Sequence, residues 1–210
     1  MQKKQLIIFD MDGTLIDSGD VISNTINFVR KNLGLLPMPK VELLTNINNP
    51  DINSAEFFYG TKKFTEEQTK LFGDYYHNNC ISDISLYKGI KELLDEINKH
   101  FTLSIATNAS AQFANKMIKH LEIKHHFDYV IGSDTVSNPK PHPEMLLNTT
   151  KTLNTEIKNT ILIGDSDKDR NAALACNMDY LLVNWGFTQH TNQNVIANVE
   201  DLKKNILSFR

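Results

Sequence analysis

Short apolar runs alternate along the chain with longer stretches in which apolar residues recur every three or four positions. The runs fall at 5–9, 101–106, 128–131, 160–163 and 180–183. Nearly continuous apolar character over so few residues predicts strands buried on both faces. Helical spacing lies between them, over 86–98, 109–121, 143–153 and 168–176. This alternation predicts a parallel sheet with helices on both faces, whose right-handed crossovers bring the strands' carboxyl ends to one edge. Local punctuation agrees: Pro143 and Glu144 suit a first helical turn, and Asn177 after 172–176 tolerates the left-handed conformation of a helix stop better than most residues do.

Between Asp17 and Tyr87 the rhythm breaks. Val21, Ile22, Ile26, Phe28, Val29 and Leu33 fit one amphipathic helix, and Leu71, Phe72, Tyr75 and Tyr76 fit another, on either side of an Asn-rich connection at 45–50. The stretch predicts an all-helical insertion after the first strand. Its apolar residues are expected to form the insertion's own core in preference to touching a ligand. Asn46, Asn48, Lys62 and Lys63 are candidates to reach a substrate, with an exposed polar loop the favoured expectation for each.

Candidate chemistry gathers at the ends of the strands. The run Leu6-Ile7-Ile8-Phe9 leads into Asp10-Met11-Asp12-Gly13-Thr14, two carboxylates one residue apart at a glycine turn. Alone this fits an ordinary loop, because Asp and Gly are turn formers. Three later segments change that balance. Thr107-Asn108 follows the second run, Lys140 stands among Pro139, Pro141 and Pro143, and the run 160–163 ends in Gly164-Asp165-Ser166-Asp167-Lys168-Asp169. Thr107-Asn108 also fits the N-cap of a helix starting near Ala109, and both roles are compatible because a cap exposes amides that an anion wants. For Lys140 the bland alternative is a surface lysine in a rigid turn.

Composition narrows the classes further. A chain of 210 residues, 40% apolar, can bury one α/β domain with a modest insertion. The net charge is −3 and no dense Lys/Arg stripe is present, which argues against nucleic acid as a partner. The apolar stretch after Met1-Gln2-Lys3-Lys4-Gln5 is far shorter than a signal-peptide core or a membrane span, so a soluble cytoplasmic protein is expected. Cys80 and Cys176 form no paired motif and are expected to be free thiols; the seven histidines show no metal-ligand spacing, and His125-His126 fits a partly exposed helix end.

The four segments, in this order, resemble the four signature motifs of the haloacid dehalogenase superfamily in its phosphatase branch, and the resemblance covers the whole chain. The dehalogenases that gave the family its name lack the second aspartate of the first motif and need no metal. Asp12 and the acidic cluster at 165–169 therefore favour phosphoryl transfer. The resemblance implies an α/β fold with a Rossmann-like three-layer core and a parallel sheet of order 3-2-1-4-5, with or without an added edge strand. A small all-helical cap then follows strand 1: residues 1–16 and 85–210 form the catalytic core and 17–84 the cap. Strands one and four are neighbours in that order, which puts Asp10 beside Asp165. The family's proline at the return from the cap is replaced here by Tyr87-Lys88-Gly89.

Phosphate monoesters resist attack because the phosphoryl group is itself negative, so catalysis rests on positioning and charge neutralisation. Asp10 is the expected nucleophile, forming an aspartyl-phosphate, and Asp12 the acid and base that serves the leaving alkoxide and then the attacking water. Thr107, Asn108 and Lys140 are the expected phosphate-binding set, the Thr107 hydroxyl and the Asn108 backbone amide supplying neutral donors. Asp10, Asp12, Asp165 and Asp169 cannot all be ionised at close range without compensating cations, which predicts a divalent ion. Oxygen-only donors favour Mg²⁺. The family pattern implies that Asp12 uses its backbone carbonyl, Asp165 binds directly, and Asp169 binds through water or orients the shell. Asp167 and Lys168 match no family position and are expected to be solvated.

These expectations describe a Mg²⁺-dependent phosphomonoester hydrolase acting on a small phosphorylated metabolite. It resembles phosphoglycolate phosphatases, with which it shares the first motif, the cap position and Trp185-Gly186-Phe187 after the last strand. The alternative is a phosphosugar mutase similar to β-phosphoglucomutase, which needs specific cap His and Arg residues; this cap offers only Arg30 and His77. A non-catalytic binding protein on the same scaffold predicts a lost nucleophile or metal carboxylate, and every position here is filled. Substrate identity and oligomeric state carry no sequence signature.

Overall fold

A computed structural model describes residues 5–191 and 195–209, so Met1–Lys4 of the N-terminal stretch lie outside it. Six strands form one parallel sheet: β1 (Leu6–Phe9), β4 (Thr102–Thr107), β5 (Tyr129–Gly132), β6 (Thr160–Gly164), β7 (Asp179–Val183) and β8 (Val195–Ile196). Their spatial order is β5-β4-β1-β6-β7-β8, the 3-2-1-4-5 arrangement with an added edge strand. Phe9 is in register with Ile105 on one side and Ile163 on the other, so Asp10, Thr107 and Asp165 emerge at neighbouring strand ends.

Alternate residues of β1 serve different cores, as the twofold periodicity of a strand requires. Ile7 and Phe9 pack with helices α5 (Ile90–Ile97), α6 (Ala111–His120) and α9 (Val199–Ser208), whereas Leu6 and Ile8 pack with α7 (Glu144–Thr152) and α8 (Asp167–Ala175). The result is three layers, with β1 fully buried at the centre. Pro143 precedes the first residue of α7, and Asn177 takes φ 54° after α8, as the sequence suggests.

Two short strands missing from the sequence reading flank the helical insert. β2 (Ile16–Asp17) pairs antiparallel with β3 (Ser85–Leu86), tying its entry to its exit. The helix expected from residue 86 therefore starts only at Ile90, after Gly89 with φ +88°. Between the two strands lie α1 (Gly19–Asn32), α2 (Lys40–Ile47), α3 (Ser54–Tyr59) and α4 (Glu66–Asn79). α1 packs on α4, with Phe28 stacked on Tyr75 at 4.3 Å between ring centres. Thr65 and Gln68 close a capping box at the start of α4.

Three local expectations change. α6 begins at Ala111 under a Ser110 cap, so Thr107-Asn108 is not the N-cap. His126 is buried in a short 3-10 turn; its Nε2 lies 2.8 Å from Asp95 Oδ1 and its Nδ1 3.1 Å from the Ile123 carbonyl. Asp95, His125 and His126 thus meet although their sequence spacing shows no ligand pattern, and the Asp95–His126 contact links the end of α5 to the turn before β5. Among the described residues, no helix is long and apolar enough to cross a membrane.

Candidate active site

The first strand ends where its backbone is still held by the sheet: the Asp10 amide donates to the Ile163 carbonyl at 2.8 Å. The chain then turns sharply through Gly13, whose φ is +85°. A Cβ at Gly13 would overlap the Asp165 carboxylate, so this position requires glycine both for its dihedral angle and for the close approach of the two motif loops. The turn aims Asp10 and Asp12 into one cavity.

Asp10, Asp165 and Asp169 come together, each at least nine-tenths buried, with carboxylate oxygens within 4.8 Å of one another. Lys140 is the charge that answers them. Its buried ammonium lies 2.7 Å from Asp10 Oδ1 and 2.5 Å from Asp169 Oδ1. Asn108 holds the Lys140 loop in place, donating from Nδ2 to the Lys140 carbonyl at 2.9 Å and accepting the Lys140 amide on Oδ1 at 3.0 Å. Asp169 is also the N3 residue of a capping box: its Oδ2 accepts from the Ser166 hydroxyl at 2.5 Å and from the Ser166 amide at 3.2 Å. The Asp165 carboxylate accepts the Phe187 amide at 2.7 Å, and His190 Nε2 is 2.8 Å from its carbonyl.

Asp12 stands apart from the triad. Its Oδ1 accepts from the Ser18 hydroxyl at 2.5 Å. Thr107 is buried and its Oγ1 accepts the Ala109 amide at 3.1 Å, which leaves the hydroxyl hydrogen for another acceptor. Thr107 and Asn108 both line the cavity above Asp10.

Burial dominates the electrostatics. It raises Asp10 to about 7, partly offset by Lys140 and reinforced by Asp169. It raises Asp12 as well, against the Ser18 hydrogen bond, and Asp165, where Asp10 and Asp169 add to the effect. For Lys140 burial works the other way, but Asp10 and Asp169 outweigh it and hold the ammonium above the ordinary lysine range. Carboxylates raised by burial, and at Asp10 and Asp165 also by one another, are groups that a bound cation would help to ionise. All the donors are oxygens, which fits a hard divalent cation.

The insert closes over this site. Lys168 is not solvated, contrary to expectation: its Nζ donates to the Ile47 carbonyl at 2.7 Å, and burial lowers its affinity for a proton. Asn48 Nδ2 lies 3.4 Å from Asp165 Oδ1, whereas Asn46 turns back to the Glu42 carbonyl and Lys62 and Lys63 stay exposed. Asp167 is partly exposed and pairs with Arg170 at 2.9 Å. Ile22, Ile26, Phe72 and Tyr76, expected as core in preference to ligand contact, line the cavity too. Ser18 and the Phe187 amide have no local signal, since their partners lie 6 and 22 residues away. Ser166 had one, the Ser-x-x-Asp capping pattern ahead of α8.

Comparison with known proteins agrees with this geometry. A phosphoglycolate phosphatase from Aquifex aeolicus is 28% identical over 190 residues, covering 90% of this chain and 89% of that protein. The tyrosine-protein kinase PtkA of Mycobacterium tuberculosis is 26% identical over 212 residues, covering 97% of this chain and 72% of its own. A haloacid dehalogenase-like family hydrolase from Streptococcus pneumoniae superposes with a TM-score of 0.81 at 25% identity, covering 100% of this chain and 99% of that one. With the haloacid dehalogenase-like hydrolase model matching residues 7–183, the chain belongs to that family.

Proposed function

We propose that this chain is a Mg²⁺-dependent phosphomonoester hydrolase of the phosphoglycolate phosphatase type, acting on a small phosphorylated metabolite through an aspartyl-phosphate on Asp10. One observation carries the reading: Asp10 is buried at a strand end in contact with the Lys140 ammonium, and opens onto the same cavity as Asp12. The division into a core of 1–16 and 85–210 and a cap of 17–84 belongs to the same proposal. The β2–β3 pair at the junction supports it.

In this reading an Asp10 carboxylate oxygen attacks phosphorus and the ester P–O bond breaks. Asp12 gives its proton to the departing alkoxide. It then takes a proton from the water that attacks the phosphoryl group, and Asp10 is released with inorganic phosphate. The Ser18 hydrogen bond fixes the Asp12 carboxyl for both transfers. The Thr107 hydroxyl and Asn108 backbone amide donate to phosphoryl oxygens, and Lys140 neutralises charge on that group and on Asp10. The metal would be held by Asp10, the Asp12 backbone carbonyl and Asp165. It supplies a fixed double positive charge that keeps Asp10 ionised and offsets the phosphoryl charge. Both Asp169 oxygens are already engaged, by Lys140 and by Ser166, which supports a role in orienting the shell.

The mutase reading gains nothing from the insert. Arg30 spends its guanidinium on the carbonyls of Leu36 and Phe58, and His77 packs against Phe113 with a ring-centre separation of 6.3 Å. The test is phosphate release from a panel of small phosphate esters with Mg²⁺, with EDTA and Asp10→Asn as controls. Release abolished by both is expected; release that survives Asp10→Asn refutes the nucleophile.

A further inference from the structure

The cavity between insert and core measures about 530 Å³. That lies within the roughly 300–1,000 Å³ of sites that enclose drug-sized ligands. A phosphoryl group carrying a two-carbon acid fills only a minor part of it. The space beyond the phosphoryl position belongs to the leaving alcohol.

One side of its wall is aromatic and aliphatic. Phe72 stacks on Tyr76 at 5.6 Å between ring centres, and Tyr76 meets Phe113 of α6 edge-on at 5.0 Å, forming a continuous ladder from insert to core. Ile22, Ile26 and Phe58 complete that side. Gln68 lines it as well, but its carbonyl oxygen accepts from the Thr65 amide and the Thr61 hydroxyl.

Charge is what this wall lacks. Among the described lining residues Lys168 is the one cation, and it stands at the core end with its ammonium on the Ile47 carbonyl. Arg30, the insert's only arginine, is committed to two backbone carbonyls, and Lys62 and Lys63 are exposed outside the cavity. A carboxylate on the leaving alcohol would have beside the aromatic rings only neutral donors such as the Ser54 and Thr69 hydroxyls, with the one lining cation, Lys168, already on a carbonyl, an expensive arrangement. An apolar or aromatic alcohol meets a surface of its own kind.

Resting on the phosphomonoesterase reading, we infer that the substrates are organic phosphates whose leaving alcohol is apolar or aromatic, in preference to anionic short-chain acids such as phosphoglycolate. The bonds made and broken are those given above; only the alcohol that departs with the Asp12 proton differs.

The test compares 2-phenylethyl phosphate, ethyl phosphate and phosphoglycolate at saturating Mg²⁺, all esters of alkyl alcohols. Burying a phenyl-sized group is worth about a 10- to 100-fold gain in kcat/KM over the ethyl ester. The same preference over phosphoglycolate is expected. Phe72→Arg, which places a cation on the wall, should lower the phenylethyl-to-phosphoglycolate ratio at least about tenfold, a readout internal to each preparation. Asp10-dependent release that favours phosphoglycolate, or is equal for all three esters, overturns this inference and leaves the phosphatase reading standing. No Asp10-dependent release from any ester overturns both.

Discussion

Lys140→Met keeps the length and much of the apolar stem of the side chain and removes the one ammonium that, among the described residues, contacts Asp10 and Asp169. What remains is a set of three buried carboxylates whose oxygens lie within 4.8 Å of one another. At an effective dielectric constant of about 20, two ionised groups about 4.8 Å apart repel by about 3.5 kcal/mol. Breaking a buried ion pair by deleting one partner typically costs about 3–5 kcal/mol. The loss should depend on pH. Asp10 is raised to about 7 even with Lys140 present, so the native state holds its proton more tightly than the unfolded chain does. Its contribution is therefore fully present below the ordinary carboxylate range and falls away as pH rises toward about 7. Without Lys140 that fall should be steeper. In EDTA, urea unfolding followed by the fluorescence of Trp185, the only tryptophan, should show the variant about 3–5 kcal/mol less stable at pH near 7.5. Near pH 5 the deficit should shrink to about 1–2 kcal/mol, as protonation removes the repulsion. An equal deficit at both pH values would refute the electrostatic account and leave only lost packing.

Mg²⁺ should stabilise the metal-free protein by about 2.7 kcal/mol at a hundredfold excess over its dissociation constant, reversed by EDTA and absent in Asp165→Asn; calorimetry with and without the ion checks this. Gly13→Ala forces a side chain onto φ +85° and into the Asp165 carboxylate. It should lower kcat/KM by about 100-fold, by displacing Asp10 or Asp165, and unfolding should show a loss of about 1–3 kcal/mol. Ser18→Ala removes the hydrogen bond that opposes burial at Asp12, so Asp12 should hold its proton to higher pH. Because Asp12 acts first as the acid, the alkaline limb of the kcat/KM–pH profile should then move upward; an unmoved limb would separate Ser18 from the chemistry.

Much of this molecule is determined by sequence alone. Strands buried on both faces must be short apolar runs, and helices that cover them must repeat every three to four residues, so the alternation is visible without coordinates. Polar residues that interrupt such runs, as at Asp10, Thr107 and Asp165, are costly unless used, and so the strand-end chemistry is legible too. Tertiary structure decided what depends on partners distant in the chain. Two-residue strands such as Ile16–Asp17 and Ser85–Leu86 carry too little periodicity to register, and only their pairing creates them. Lys168 looks like any helix-start lysine until the Ile47 carbonyl, 121 residues away, receives its ammonium. His126 becomes a buried partner of Asp95 only once the end of α5 meets the turn before β5. The aromatic ladder of Phe72, Tyr76 and Phe113 shows the limit most clearly. Helical spacing puts Phe72 and Tyr76 on one face of α4, but whether that face meets another helix or an empty cavity is set by how the insert sits on the core.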